Sequence, residues 1–151
     1  MYQRILVPID GSETSERGLM EAIRLAEVTK STLRLLNLTS DFALMVEMSG
    51  GIDFEQYREG LKQFGRNLVD RSSKLAAEHG IVSETLVREL RGSRVSQAIV
   101  DEARESRCDL IVMGSHGRRG FNRAVLGSDA EAVLRASPVP VLVVRDTARA
   151  G

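Results

Sequence analysis

A single cysteine, Cys108, stands in the 151 residues, so no intrachain disulfide forms and a reducing compartment suits the chain. An excess of either charge is also missing, because 21 basic residues balance 21 acidic ones. That balance removes bulk electrostatics as a reason to bind nucleic acid or a membrane surface, and neither is expected as a partner. No apolar run approaches the roughly 18 residues of a membrane span. The opening stretch Ile5-Leu6-Val7-Pro8 is cut short by Asp10, well before the length of a secretory apolar core. The expectation is a cytoplasmic protein. Internal repeats, linkers and low-complexity tracts are absent as well. What is present, 42% hydrophobic and 28% charged, is the composition of a globular chain with a real core. One domain over residues 1–146 is expected, with a frayed tail at 147–151.

Four short stretches, 5–8, 33–38, 110–113 and 139–144, are nearly continuous in apolar residues rather than alternating. That pattern predicts strands covered on both faces, as in a parallel sheet under helices. A fifth stretch, 84–88, is more polar and suits an edge. Helical periods separate them. Ser12 can cap a first helix whose Leu19, Ala22, Ile23 and Ala26 share a stripe. Phe54, Tyr57, Leu61, Phe64, Leu68 and Leu75 predict a long second helix ended by Gly80. A third runs from about Ser93 to Glu105, with Val95, Ala98 and Ile99 inward, and a fourth opens at Ser128 and stops before Pro138. Strict alternation of strand and helix implies an α/β fold with right-handed crossovers. Ligands of such sheets bind beyond the carboxyl ends of the strands. The stretch 39–53 is expected to be irregular.

The segment after the fourth strand, from Gly114 to Ser128, has the parts of a phosphate site. Its glycines let backbone N–H groups turn toward an anion. Gly127-Ser128 opens a helix whose first amides favour negative charge. Arg118, Arg119 and Arg123 bring countercharge. Neither the lysine-bearing P-loop pattern nor a Gly-x-Gly-x-x-Gly after the first strand is present.

The spacing Gly114-x2-Gly117-x9-Gly127-Ser128 resembles the ATP-binding motif of the universal stress protein family. The opening Ile5-Leu6-Val7-Pro8-Ile9-Asp10-Gly11-Ser12 is similar to that family's first strand and turn. Asp109-Leu110-Ile111-Val112-Met113-Gly114-Ser115-His116-Gly117 is similar to its fourth strand and loop, and Ser137-Pro138-Val139-Pro140-Val141-Leu142-Val143-Val144-Arg145 to its last strand. The resemblance implies a Rossmann-like fold of adenine-nucleotide alpha-hydrolase type, a five-stranded parallel sheet in the order 3-2-1-4-5 with helices on both faces. It also implies the branch that binds ATP, with Mg²⁺ held mainly by the phosphates.

By this resemblance Asp10 contacts the ribose, or the adenine edge through its backbone. A carboxylate just past a strand end can accept from ribose hydroxyls, and it can equally shape the turn before Ser12. Pro8 sets turn geometry and can flank the base. Leu38 matches a position that packs on adenine, and core packing is compatible with that role. Met113 can line the pocket or fill the core. Gly114, Gly117, Gly127 and Ser128 are expected to hold the phosphates. Ser128 can donate to a phosphate or cap its helix. His116 and Arg118 fall inside the motif and can reach the triphosphate, and His116 can also be an exposed loop residue. No Cys, Asp or Glu cluster accompanies His116, so it is not read as a metal ligand. Asp129 departs from the small or apolar residue frequent in the family and puts affinity in doubt. His79 lies near a helix end where its charge suits the dipole, and Cys108 is expected in the core.

An ATP-binding regulatory or stress-response protein fits these features. No lysine of the P-loop kind, paired carboxylate or nucleophile–base pair supports efficient catalysis, so slow ATP hydrolysis is the most an enzyme reading allows. A cAMP-binding protein and a non-nucleotide interaction module are the alternatives. In the family the last strand pairs with its twofold mate. The same is expected here, a homodimer through residues 139–144, from Val139 to Val144.

Overall fold

The structure, a computed structural model, describes residues 1–40, 50, 54–116 and 125–145. Along the chain these form β1 (Arg4–Pro8), α1 (Glu13–Thr29), β2 (Thr32–Thr39), α2 (Phe54–Glu78), β3 (Ser83–Glu89), α3 (Val95–Glu105), β4 (Leu110–Gly114), α4 (Ser128–Ala136) and β5 (Val141–Val144). The strands make one parallel sheet in the order β3-β2-β1-β4-β5, as expected. The stretch expected to be irregular falls mostly on 41–49 and 51–53, outside the described residues, as does the tail beyond 145.

Continuous apolar strands divide by parity into two cores, because successive side chains point to opposite faces. Ile5, Val7, Leu33, Leu35, Leu110 and Val112 pack with Leu19, Ala22, Ile23 and Ala26 of α1 and with Leu68, Val69 and Ala76 of α2. Leu6, Leu36, Ile111 and Met113 pack with Ile99 and Ala103 of α3 and Ala130 and Val133 of α4. Each fully buried Leu or Ile contributes about 1.5–3 kcal/mol relative to exposure. No polar face is left on the central strands, which is why their alternation vanishes.

Local chemistry sets the helix ends. Ser12 Oγ accepts from Ser15 N at 3.2 Å and caps α1, with Glu13 and Glu16 in its first turn. The α1 helix closes on Lys30 in the left-handed conformation, its N–H donating to Ala26 O at 2.8 Å. Gly80, at φ +73°, supplies the turn after α2. The stripe drawn for α2 shifts in the structure: Gly65, Leu68, Val69, Ser72 and Ala76 are buried, whereas Phe64 is exposed. The helix approaches the sheet on Gly65, where even a methyl group would collide with Asn37 and Val87. An apolar period cannot reveal that contact. The strand expected at 139–144 is shorter, beginning at Val141 after Pro138 and Pro140.

Candidate functional site

β1 pairs with β2 through its last residue, Pro8, opposite Leu36, but with β4 only through Leu6, opposite Ile111. Ile9 continues the β2 side alone, its N–H donating to Leu36 O at 2.7 Å. β1 and β4 therefore part at their carboxyl ends, at the point where the strand order reverses. That is where open α/β sheets hold their ligands.

The described parts of both loops leaving this point are tightly packed. After β1, Asp10 Oδ1 accepts from Ser12 N at 2.8 Å, and Gly11 takes φ +83°. Asp10 thus shapes the turn, and the turn uses only one of its two carboxylate oxygens; the side chain remains partly exposed. After β4, the first turn of α1 presses on the strand end. A Cβ on Gly114 would lie 2.7 Å from the Thr14 carbonyl, and one on Gly18 would lie 3.2 Å from Gly114 N. Thr14 Oγ1 donates to the His116 carbonyl. Ser115 is buried, and its N–H donates to Val144 O at 2.9 Å.

Gly127 closes the loop. Its N–H donates to Ser115 O at 2.8 Å, and a Cβ would sit 2.7 Å from that oxygen. The two described motif glycines have ordinary backbone angles. Gly127 has φ −61°, and Gly114 is not among the residues at positive φ. Close backbone approach, not left-handed backbone, demands glycine at both. The Gly127 amide is spent inside the loop. Gly127 is also the N-cap of α4, and as a glycine it has no side chain with which to cap that helix. Ser128 is the first helical residue, exposed, and its hydroxyl is not the cap. The amides of the first turn have no acceptor within the helix.

His116 is half-buried, its Nδ1 3.0 Å from Ser115 Oγ. Its Nε2 is buried with no hydrogen-bond partner among the described residues. A buried polar atom without a partner is costly and fits a site built to meet a ligand. Pro8 is half-buried at the end of β1. Leu38 is half-buried against the α3–α4 core, and Met113 is buried in that core. Gly117 and Arg118 lie outside the described residues. Asp129 is exposed in the first turn of α4, where an acid suits the helix dipole. The structure therefore brings Pro8, Asp10, Gly114, His116, Gly127 and Ser128 to one edge of the sheet, with Leu38 and Met113 at adjacent strand ends. Sequence reasoning missed Thr14, Ser15, Asn37 and Ser115, whose only signal was small polar residues in otherwise apolar or helical stretches.

Charges elsewhere are structural. Glu102 of α3, 2% exposed, accepts from Arg34 Nε at 3.0 Å and Arg88 Nη1 at 3.4 Å, and from Ser106. Part of this network lines a groove of about 540 Å³ along β3 and α3, with Leu86, Arg88 and Glu105. None of the groove's lining residues belongs to the glycine loop. Burial pushes the Cys108 thiol up to about 11, so it is protonated and unreactive at neutral pH. His79 Nδ1 meets Glu27 Oε1 at 2.9 Å across α1 and α2.

A sequence model of the universal stress protein family matches residues 1–145. The chain belongs to this family. Universal stress protein YxiE of Bacillus subtilis is 30% identical over 151 residues, covering 96% of this chain and 100% of that one. Universal stress protein MJ0531 of Methanocaldococcus jannaschii is 32% identical over 145 residues, covering 96% and 83%. The solved structure of MJ0577 superposes with a TM-score of 0.81 at 28% identity, covering 95% and 96%. More distant members share the fold. These include an Archaeoglobus fulgidus protein in complex with dAMP (TM-score 0.66, 22% identity, covering 95% and 98%). An Arabidopsis thaliana protein with AMP bound (0.69, 16%, covering 96% and 93%) and a universal stress protein in complex with cAMP (0.63, 23%, covering 95% and 97%) do so too. No helix among the described residues is long and apolar enough to cross a membrane.

Proposed function

We propose that this universal stress protein binds ATP where β1 and β4 part, and that occupancy alters its conformation, its dimer or its contacts with other proteins. One observation carries the reading. The N-cap of α4 is Gly127, which as a glycine offers no side-chain cap, and its N–H ties the helix start to Ser115 beside the opened strand ends. An uncapped helix start presents amides and a positive dipole end to an anion. Of the two helices that follow the parting strands β1 and β4, α1 is already capped by Ser12. In this reading Gly114, Gly117, Gly127 and Ser128 surround the phosphates. The orphan His116 Nε2 supplies a donor to them, with Arg118 as countercharge. Asp10 takes the ribose, and Pro8, Leu38 and Met113 border the base. Mg²⁺ rides on the phosphates. Family members that carry AMP, dAMP and cAMP support an adenine nucleotide as the ligand class. The single buried cysteine suits a cytoplasmic setting.

Calorimetric titration with ATP, ADP, AMP and cAMP tests the proposal. Binding with ATP tightest, and a thermal shift at millimolar ATP, is the expected result. Silence toward all four at millimolar concentration would end it. A preference for cAMP would move the ligand assignment without moving the site. Phosphate release is expected to remain slower than a few turnovers per minute.

A further inference from the structure

Asn37 breaks a pattern. On β2, Leu33 and Leu35 face the α1–α2 core, and Asn37 continues their parity at 6% exposure. An amide so buried must be hydrogen-bonded. Its Nδ2 donates to Ile9 O at 2.8 Å. The same peptide unit is held at its other end, since the Asp10 N–H donates to Ser15 Oγ at 3.1 Å. The Ile9–Asp10 peptide plane is therefore pinned on both sides just beyond the end of β1. Its orientation sets the direction in which Asp10 leaves the backbone.

The room for this amide comes from α2. A Cβ on Gly65 would lie 2.4 Å from Asn37 Oδ1 and 3.1 Å from its Cγ. Glycine inside a 25-residue helix is unfavourable beside alanine. Here it leaves a notch that the Asn37 side chain fills. Two residues far apart in sequence thus form one device acting on the loop after β1.

We propose that Asn37, seated over Gly65, is a positioning residue that fixes the Asp10 carboxylate for ribose recognition and so lets the protein tell a ribonucleotide from its 2′-deoxy analogue. The assignment rests on the nucleotide reading above. Its logic is that a carboxylate discriminates hydroxyls only if its direction is held, because loss of one charge-assisted hydrogen bond costs about tenfold in affinity.

The test compares dissociation constants for ATP and dATP in the wild type, Asn37→Asp, Gly65→Ala, Asp10→Ala and the Asn37→Asp/Asp10→Ala double variant. Amide exchange at residues 10–12 is followed in the nucleotide-free protein. Leu68→Ala, which removes core packing three residues along the same helix from Gly65 and leaves both Asn37 and Gly65 in place, is the stability control. The wild type is expected to favour ATP about tenfold. Asn37→Asp and Gly65→Ala should each bring the ratio near one and speed exchange at 10–12. Asp10→Ala should do the same to the ratio, and the double variant should add nothing. Leu68→Ala should lower the melting temperature and leave the ratio alone. Variants that lose stability but keep the tenfold ratio would overturn the inference, as would a wild type that binds both nucleotides equally. If the wild type binds neither, the nucleotide reading falls. Exchange at 10–12 then judges the positioning alone, and rates unchanged in Asn37→Asp and Gly65→Ala would overturn that too.

Discussion

Gly114 shows how one residue can satisfy a motif for a reason the motif does not display. Its hydrogen stands where a Cβ would be 2.7 Å from the carbon and oxygen of the Thr14 carbonyl and 2.9 Å from the Thr14 Cβ. The colliding atoms are mostly backbone, so they cannot swing aside. Gly114→Ala should push the first turn of α1 off β4 and strain the Thr14–His116 bond. Overpacking of this kind costs roughly 1–3 kcal/mol. A denaturant melt of the nucleotide-free protein measures it. Unchanged stability would mean that Gly114 serves only the ligand. His116 is the complementary case. Its Nδ1 is engaged by Ser115 and its backbone oxygen by Thr14, which leaves Nε2 as its ring atom without a partner among the described residues.

Between elements, ion pairs join what the apolar cores leave uncovered. Arg58 of α2 donates to both oxygens of Glu89, the last residue of β3, at 2.5 and 2.6 Å, and Lys62 approaches at 3.3 Å. The Arg58 hydrogen bonds hold the Glu89 carboxyl at about 2, below its ordinary 4.5. A depressed folded value means that the carboxylate stabilises the fold above pH 4.5, and that this contribution is lost as pH falls toward 2. Glu89→Gln should therefore cost about 1 kcal/mol at neutral pH, since the pair is bidentate but near the surface. The gap between variant and wild type should close as melts are repeated down to pH 2. A gap that stays constant with pH would assign the loss to packing.

For the molecule as a whole, the two edges of the sheet differ. The outer strand β3 carries Glu84, Arg88 and Glu89, charges that discourage pairing, whereas β5 reads Val-Leu-Val-Val. Leu142 on β5 and Leu134 on α4 are exposed. We propose a homodimer through β5, to be checked by sedimentation at micromolar concentration. The wild type should run as a dimer and Leu142→Lys as a monomer, and a monomeric wild type would refute it. The strands and their alternation with helices were legible in the chain, because apolar runs and helical periods are local signals, while the strand order followed from the family resemblance. Legible too was the spacing of Gly114 and Gly127, which is local. The notch at Gly65, the pinning of Ile9–Asp10 by Asn37, the exposure of Phe64 and the packing reason for Gly114 were not. Each depends on how closely one backbone approaches another across the sheet. That distance is settled only when all the elements pack at once, so tertiary structure alone decided it.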